Sequence, residues 1–246
     1  MTPPRPARRD DRWDGRLAIL TGVARRGQVG EAVARALGER GATLALLDRD
    51  GTEAGARAAE LRDAGIDATA WPCDLTDHAS LGAVAAQVAA RHPAGADALV
   101  CLAGGFAALG PVRESIPEGW DRMLAINLAT AYATTRAFLP ALRTARGSIV
   151  YFASAAVMPG GTGEGIAAYA AAKAGVVALM HAVAAEERPN GVRANALAPT
   201  AIRTDTNVAA MGATATYVER ETVAEWVTFL CSPVSGPVSG QLVQLG

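Results

Sequence analysis

The sequence predicts a doubly wound α/β fold, a parallel sheet of about seven strands with helices on both faces. Three observations carry that expectation. Short runs rich in Val, Leu and Ile alternate with longer Ala-rich segments of helical period. The first such run passes through a glycine-containing turn directly into a helix. The apolar share, 50% of 246 residues, is enough to bury a sizeable core.

The predicted strands cover 16–21, 43–47, 68–71, 98–102, 148–152, 193–197 and a short last one at 241–243. Between the first two lies a helix over 29–40, whose Val29, Val33, Ala36 and Leu37 share one face and which Gly41 stops. Further helices are predicted over 52–64, 78–91, 117–142, 167–187 and 221–230. No internal repeat or interdomain linker stands out, so residues 14–246 are expected to form one domain. Residues 1–13 carry prolines and arginines without the apolar stretch of a secretory signal and are expected to be a flexible tail.

Composition narrows the function classes. With 23 basic and 24 acidic residues mixed along the chain, the net charge of -1 offers no field for nucleic acid or anionic lipid, so any phosphate binding must be local. No run of about 18 uncharged apolar residues occurs, so a membrane span is not expected. Cys73, Cys101 and Cys231 are far apart in apolar runs, and His78, His92 and His181 are isolated. A metal site is therefore not expected, and an odd cysteine count without a disulfide framework fits a reducing cytoplasm.

The turn after the first strand reads TGVARRGQVG, from Thr21 to Gly30. Glycines there permit a tight turn and let backbone N–H groups and the helix N-terminus approach a pyrophosphate. Asp48 ends the second strand, where a carboxylate accepts hydrogen bonds from ribose hydroxyls and repels a 2′-phosphate. NAD is favoured on that argument, although Arg25, Arg26 and Arg49 are near enough in sequence to supply the charge for NADP. Asp74 follows the third strand and is expected either to meet the adenine or to serve a turn or helix cap with Thr76 nearby.

Tyr169 and Lys173 lie four apart in a helical segment and so share one face, where an ammonium would favour the phenolate. Alone that pair is weak evidence. Ser154, at the carboxyl end of the fifth strand, adds a hydroxyl that can bond a carbonyl or carbinol oxygen. Asn127 is a polar residue in an apolar helical stretch. It either holds a water that relays protons from Lys173 or pins the helix through backbone hydrogen bonds.

In this order the residues resemble the short-chain dehydrogenase/reductase family, from about Arg16 to Gly246. The resemblance rests on the glycine loop, Asp48, Asp74, Ala103-Gly104 in CLAGG, Asn127, Ser154, Tyr169, Lys173 and Pro199 in NALAPTAIRTD. It implies a Rossmann-type fold and an NAD(P)-dependent enzyme interconverting a ketone and a secondary alcohol. It also implies that Tyr169 is the acid/base and that Lys173 lowers its pKa and binds the nicotinamide ribose. Ser154 orients the substrate, Asn127 supports the relay, and Ile202 and Thr204 contact the nicotinamide carboxamide and pyrophosphate. A homotetramer or homodimer is implied too, consistent with apolar residues on more than one face of the 117–142 and 167–187 helices.

Departures from the family pattern are local. The loop TGxxxGxG becomes Gly22, Gly27 and Gly30, two residues longer, which leaves each glycine's role open. NNAG reads CLAG at Cys101 to Gly104, removing side-chain hydrogen bonds that normally brace that strand end, and PG becomes Pro199-Thr200. The segment between Ser154 and Tyr169 is slightly longer and richer in glycine than usual, which suggests a mobile wall beside the site, and 205–220 is short where a longer lid is usual, which suggests a more open pocket. The enoyl-reductase branch shares a longer first loop, but its tyrosine and lysine are more widely spaced than Tyr169 and Lys173. The competing expectation is a catalytically silent nucleotide-binding regulatory or scaffold protein, motivated by the altered loop and CLAG.

Overall fold

The computed structural model describes residues 12–246. Among them, seven strands form one parallel sheet in the order β3-β2-β1-β4-β5-β6-β9. The strands are β1 (Leu17–Thr21), β2 (Thr43–Asp48), β3 (Ala68–Pro72), β4 (Ala98–Cys101), β5 (Ser148–Phe152), β6 (Arg193–Pro199) and β9 (Leu242–Leu245). A separate two-residue ladder pairs β7 (Ile202–Arg203) with β8 (Val218–Glu219). Strand order reverses between β1 and β4, so their carboxyl ends diverge and open the crevice where such sheets take ligands.

Alternation along β1 explains the two layers. Leu17 and Ile19 face one apolar cluster, Ala18 and Leu20 the other. The first cluster is closed by α3 (His78–Arg91), α5 (Thr130–Ala145) and α6 (Ala167–Glu186), through residues such as Leu81, Phe138 and Met180. The second is closed by α1 (Val29–Gly38), α2 (Gly51–Asp63) and α8 (Arg220–Cys231), through Val33, Leu61 and Val227. Helix α6 is long and apolar enough to cross a membrane by length and composition. Here it lies against the sheet, burying Ala172, Val176, Met180 and Val183.

Several expectations are corrected. The tail expectation for residues 1–11 lies outside the described residues. Trp13 is fully buried and its backbone N–H donates to Arg40 O at 2.7 Å, so it belongs to the core. The helix expected over 117–142 is divided into α4 (Pro117–Leu124), a π turn at Ala125–Ala129, and α5. A π turn adds one residue to the helical repeat and rotates its side chains, and such turns cluster at functional sites. At its centre is Asn127. The helix α7 (Asp205–Met211) was not foreseen, because seven residues are too few to show a periodicity.

Candidate active site

The nucleotide end of the crevice is built from bare backbone. Gly22 has φ +69°, and a Cβ there would stand 2.7 Å from Ala103 Cα. Gly30, in the first turn of α1, would bring a Cβ within 2.8 Å of Gly22 O. Gly27 has φ +66° and faces the Asp205 carboxylate so closely that a Cβ would overlap it. Each glycine of the lengthened loop therefore has its own role: Gly22 meets the β4 end, Gly30 allows α1 to approach the turn, and Gly27 meets α7.

The contact with α7 is reinforced twice. Asp205 N–H donates to Gly27 O at 3.2 Å, and Gln28 Nε2 to Thr206 Oγ1 at 3.1 Å. Thr204 is buried and caps α7, accepting from Asn207 N at 3.2 Å, while Ile202 O accepts from Thr204 N at 2.8 Å. Pro199 ends β6, and Thr200 N bonds Leu245 O, which turns the chain toward the glycine loop.

Asp48 also braces the loop. Its Oδ2 accepts from Ala24 N at 3.0 Å and its Oδ1 from Asp50 N at 3.2 Å. Arg26 pairs with Glu60, which also pairs with Arg57, so its charge is drawn to α2. Asp74 makes a turn, accepting from Thr76 N at 2.9 Å and Thr76 Oγ1 at 2.6 Å, and the Thr76 hydroxyl holds its carboxyl below the usual range. The cap of α3 is Asp77 instead.

At the chemical end, Ser154 follows β5 and Tyr169 sits in the first turn of α6. Burial pushes the Tyr169 phenol up from its usual value, and a hydrogen bond with the Ser154 side chain pulls it partly back. Lys173, one turn on, is buried, and its ammonium donates to Phe152 O at 2.8 Å while lying 5.7 Å from the centre of the Tyr169 ring. Desolvation lowers it to about 8. At Tyr169 burial outweighs the Ser154 hydrogen bond, so the net direction is upward.

Asn127 makes the backbone bonds that were one of its two expected roles. Its Nδ2 donates to Met123 O at 3.1 Å within the helix and to Gly105 O at 3.0 Å across the crevice, and its Oδ1 accepts from Gly105 N at 3.2 Å. A Cβ on Gly104 would stand 2.6 Å from Asn127 Oδ1 and 3.6 Å from Lys173 Nζ, so Gly104 lies close to both side chains. The bracing that CLAG lacks comes from elsewhere: Thr21 Oγ1 accepts from Ala103 N at 3.1 Å, and Asn127 holds the next turn. In place of a polar strand end, Cys101 is buried, its thiol pushed up to about 12 by desolvation.

Sequence reasoning missed Phe106. Its ring meets the Tyr169 ring edge to face, with centroids 5.1 Å apart and planes at 79°. It also missed Thr21, Gln28 and Asp205, whose partners lie 82, 178 and 178 residues away respectively.

A nicotinamide dinucleotide fits these residues. Gly22 and Gly30 leave a cradle that any Cβ would fill, and a buried ammonium stands beside a tyrosine at the other end of the same crevice. A family model described as enoyl-(acyl carrier protein) reductase matches residues 22–245. The chain belongs to the short-chain dehydrogenase/reductase family. This short-chain dehydrogenase/reductase is 35% identical over 197 residues to D-threitol dehydrogenase of Mycolicibacterium smegmatis, covering 80% of this chain and 74% of that one. It is 31% identical over 244 residues to a hydroxy-methyl-oxo-hexahydroindene-carboxyl-CoA reductase of Mycobacterium tuberculosis, covering 94% and 92%. A 3-oxoacyl-[acyl-carrier protein] reductase of Brucella melitensis, solved with bound NAD, superposes with a TM-score of 0.83 at 30% identity, covering 96% of this chain and 91% of that one. The protein is accordingly an NAD(P)-dependent oxidoreductase acting between CH–OH and C=O groups.

Proposed function

We propose that Tyr169 is the acid/base of this oxidoreductase, with Ser154 orienting the substrate oxygen and Lys173 and Asn127 supporting the pair. The observation that carries the reading is the convergence of Ser154, Tyr169 and Lys173 where β5 and α6 meet, facing Gly104 and Asn127. In alcohol oxidation the carbinol O–H proton passes to Tyr169 as the C–H pair leaves as hydride and the C=O bond forms. Ketone reduction is the reverse, with Tyr169 returning the proton to the oxygen. The bound nicotinamide supplies or takes the hydride. Residues 13–246 act as one catalytic domain in this reading, the buried Trp13 included.

NAD is the proposed cofactor over NADP. The Asp48 carboxylate occupies the β2 end where a 2′-phosphate would sit, and Arg26 is already paired with Glu60. A larger upward shift of Tm with NAD than with equimolar NADP is expected, since the better ligand stabilises the native state by mass action. A larger shift with NADP would reverse the assignment.

A homo-oligomer is supported by apolar surface on α5 and α8. Tyr132, Trp226 and Phe229 are exposed, the last two with ring centroids 6.0 Å apart. The three cysteines are free and buried, which supports a reducing compartment such as the cytoplasm. The silent-scaffold alternative is weakened because Thr21 and Asn127 restore the bracing whose loss motivated it. Nicotinamide binding without turnover across alcohols and ketones would revive it.

A further inference from the structure

The two loops that flank Ser154 and Tyr169 are almost free of polar side chains. From Gly105 to Pro111 there is none, and from Ala155 to Ile166 there are two, Thr162 and Glu164. Both loops converge on the reacting pair. The first is anchored at Gly105 by Asn127, touches Tyr169 through Phe106, and then bonds the second loop, where Gly165 O accepts from Leu109 N and Gly110 N at 3.1 Å each. The second loop joins Ser154 to the first turn of α6, which carries Tyr169.

Phe106 is 64% exposed even though its edge-to-face contact and the two anchors on either side hold it in place. An aromatic ring fixed in that exposed position leaves apolar area for a ligand to cover. Val157 and Met158, in the second loop, are half-buried against the core. Polar groups are scarce. Thr162 Oγ1 accepts from Glu164 N within its own turn. In α7 and the segment after it, Asn207 Nδ2 is committed to Ile202 O, Thr206 to Gln28 and Tyr217 OH to Gly212 O.

A site that selects a polyhydroxylated substrate must hydrogen-bond each hydroxyl it buries, because an unpaired one loses its water without replacement. These loops supply few such partners: Thr162 and Glu164 are their only polar side chains, and both are exposed. We infer that the substrate is a secondary alcohol or ketone with an apolar, ring-bearing skeleton next to the reacting carbon, and that Phe106 is the residue that selects it. This rests on the reading of Ser154 and Tyr169 as the reacting pair. It sets the chain apart from the threitol dehydrogenase it resembles in sequence.

The test compares 1-indanol and cyclohexanol with threitol and galactitol, each with NAD and with NADP, in the wild type, Phe106→Ala, Phe106→Tyr and Tyr169→Phe. The expected result is a kcat/KM at least about tenfold higher for the cyclic alcohols than for the polyols. Phe106→Ala should shrink that preference by about tenfold, mainly through KM for the cyclic alcohols, and Phe106→Tyr should keep it. Tyr169-dependent turnover that favours the polyols, or a preference unchanged in Phe106→Ala, overturns the inference while leaving the reacting pair intact. Turnover of either class that survives in Tyr169→Phe, or no turnover of any alcohol, overturns the reading of the pair and the inference with it.

Discussion

Tyr169→Phe is expected to lower kcat for nicotinamide-dependent turnover by about 10²- to 10⁴-fold, the range of a lost general acid/base. The substitution removes one oxygen and keeps the ring against Phe106, so folding and cofactor-induced thermal stabilisation should change little. The pH dependence gives a second signature. Burial holds the phenol protonated above its usual range. The protonated form is the one needed for ketone reduction, so kcat/KM for reduction should be level through neutral pH and fall as the phenol ionises. Oxidation needs the phenolate and should rise over that same alkaline interval. If Tyr169→Phe keeps full turnover on a substrate the wild type accepts, the acid/base lies elsewhere.

Asn127→Ala should cost both stability and catalysis. The side chain is itself buried; it satisfies Gly105 N and Gly105 O at a part-buried turn and bonds Met123 O in a buried one. Its loss leaves these backbone groups without their side-chain partner, an expected destabilisation of about 1–3 kcal/mol measured by urea unfolding. The turn carrying Gly105 would also lose its anchor, and with it the placement of Phe106 beside Tyr169. A fall in kcat/KM of about 10- to 100-fold is expected from a misplacement on the order of 1 Å. An unchanged kcat/KM together with the predicted loss of stability would show that the asparagine serves the fold alone.

Much of this was legible locally. The apolar runs predicted every strand of the large sheet to within two residues, because a strand's period and a βαβ unit's alternation are properties of neighbouring residues. Tyr169 and Lys173 share a face because they are four apart in a helix, and Ser154 sits at a strand's carboxyl end wherever that strand is placed. The π turn was not legible. Residues 117–142 read as one helix, and the extra residue that turns Asn127 toward Gly105 leaves no mark on the periodicity. Phe106 was equally hidden, since an aromatic in a glycine- and alanine-rich loop reads as ordinary loop composition until Tyr169 is brought beside it.

The sequence by itself determined the fold class and put Ser154, Tyr169 and Lys173 forward as the proposed proton-transfer set, whereas the crevice between β1 and β4 follows from the strand order. Tertiary structure decided three further things. It showed that burial raises the Tyr169 phenol, that Gly27 faces Asp205, and that an apolar ring borders the reacting pair. The reason is physical. Hydrogen-bonding pattern and side-chain period act over a few residues of chain, whereas desolvation, close backbone approach and ring contact depend on what folding brings alongside from far along the chain.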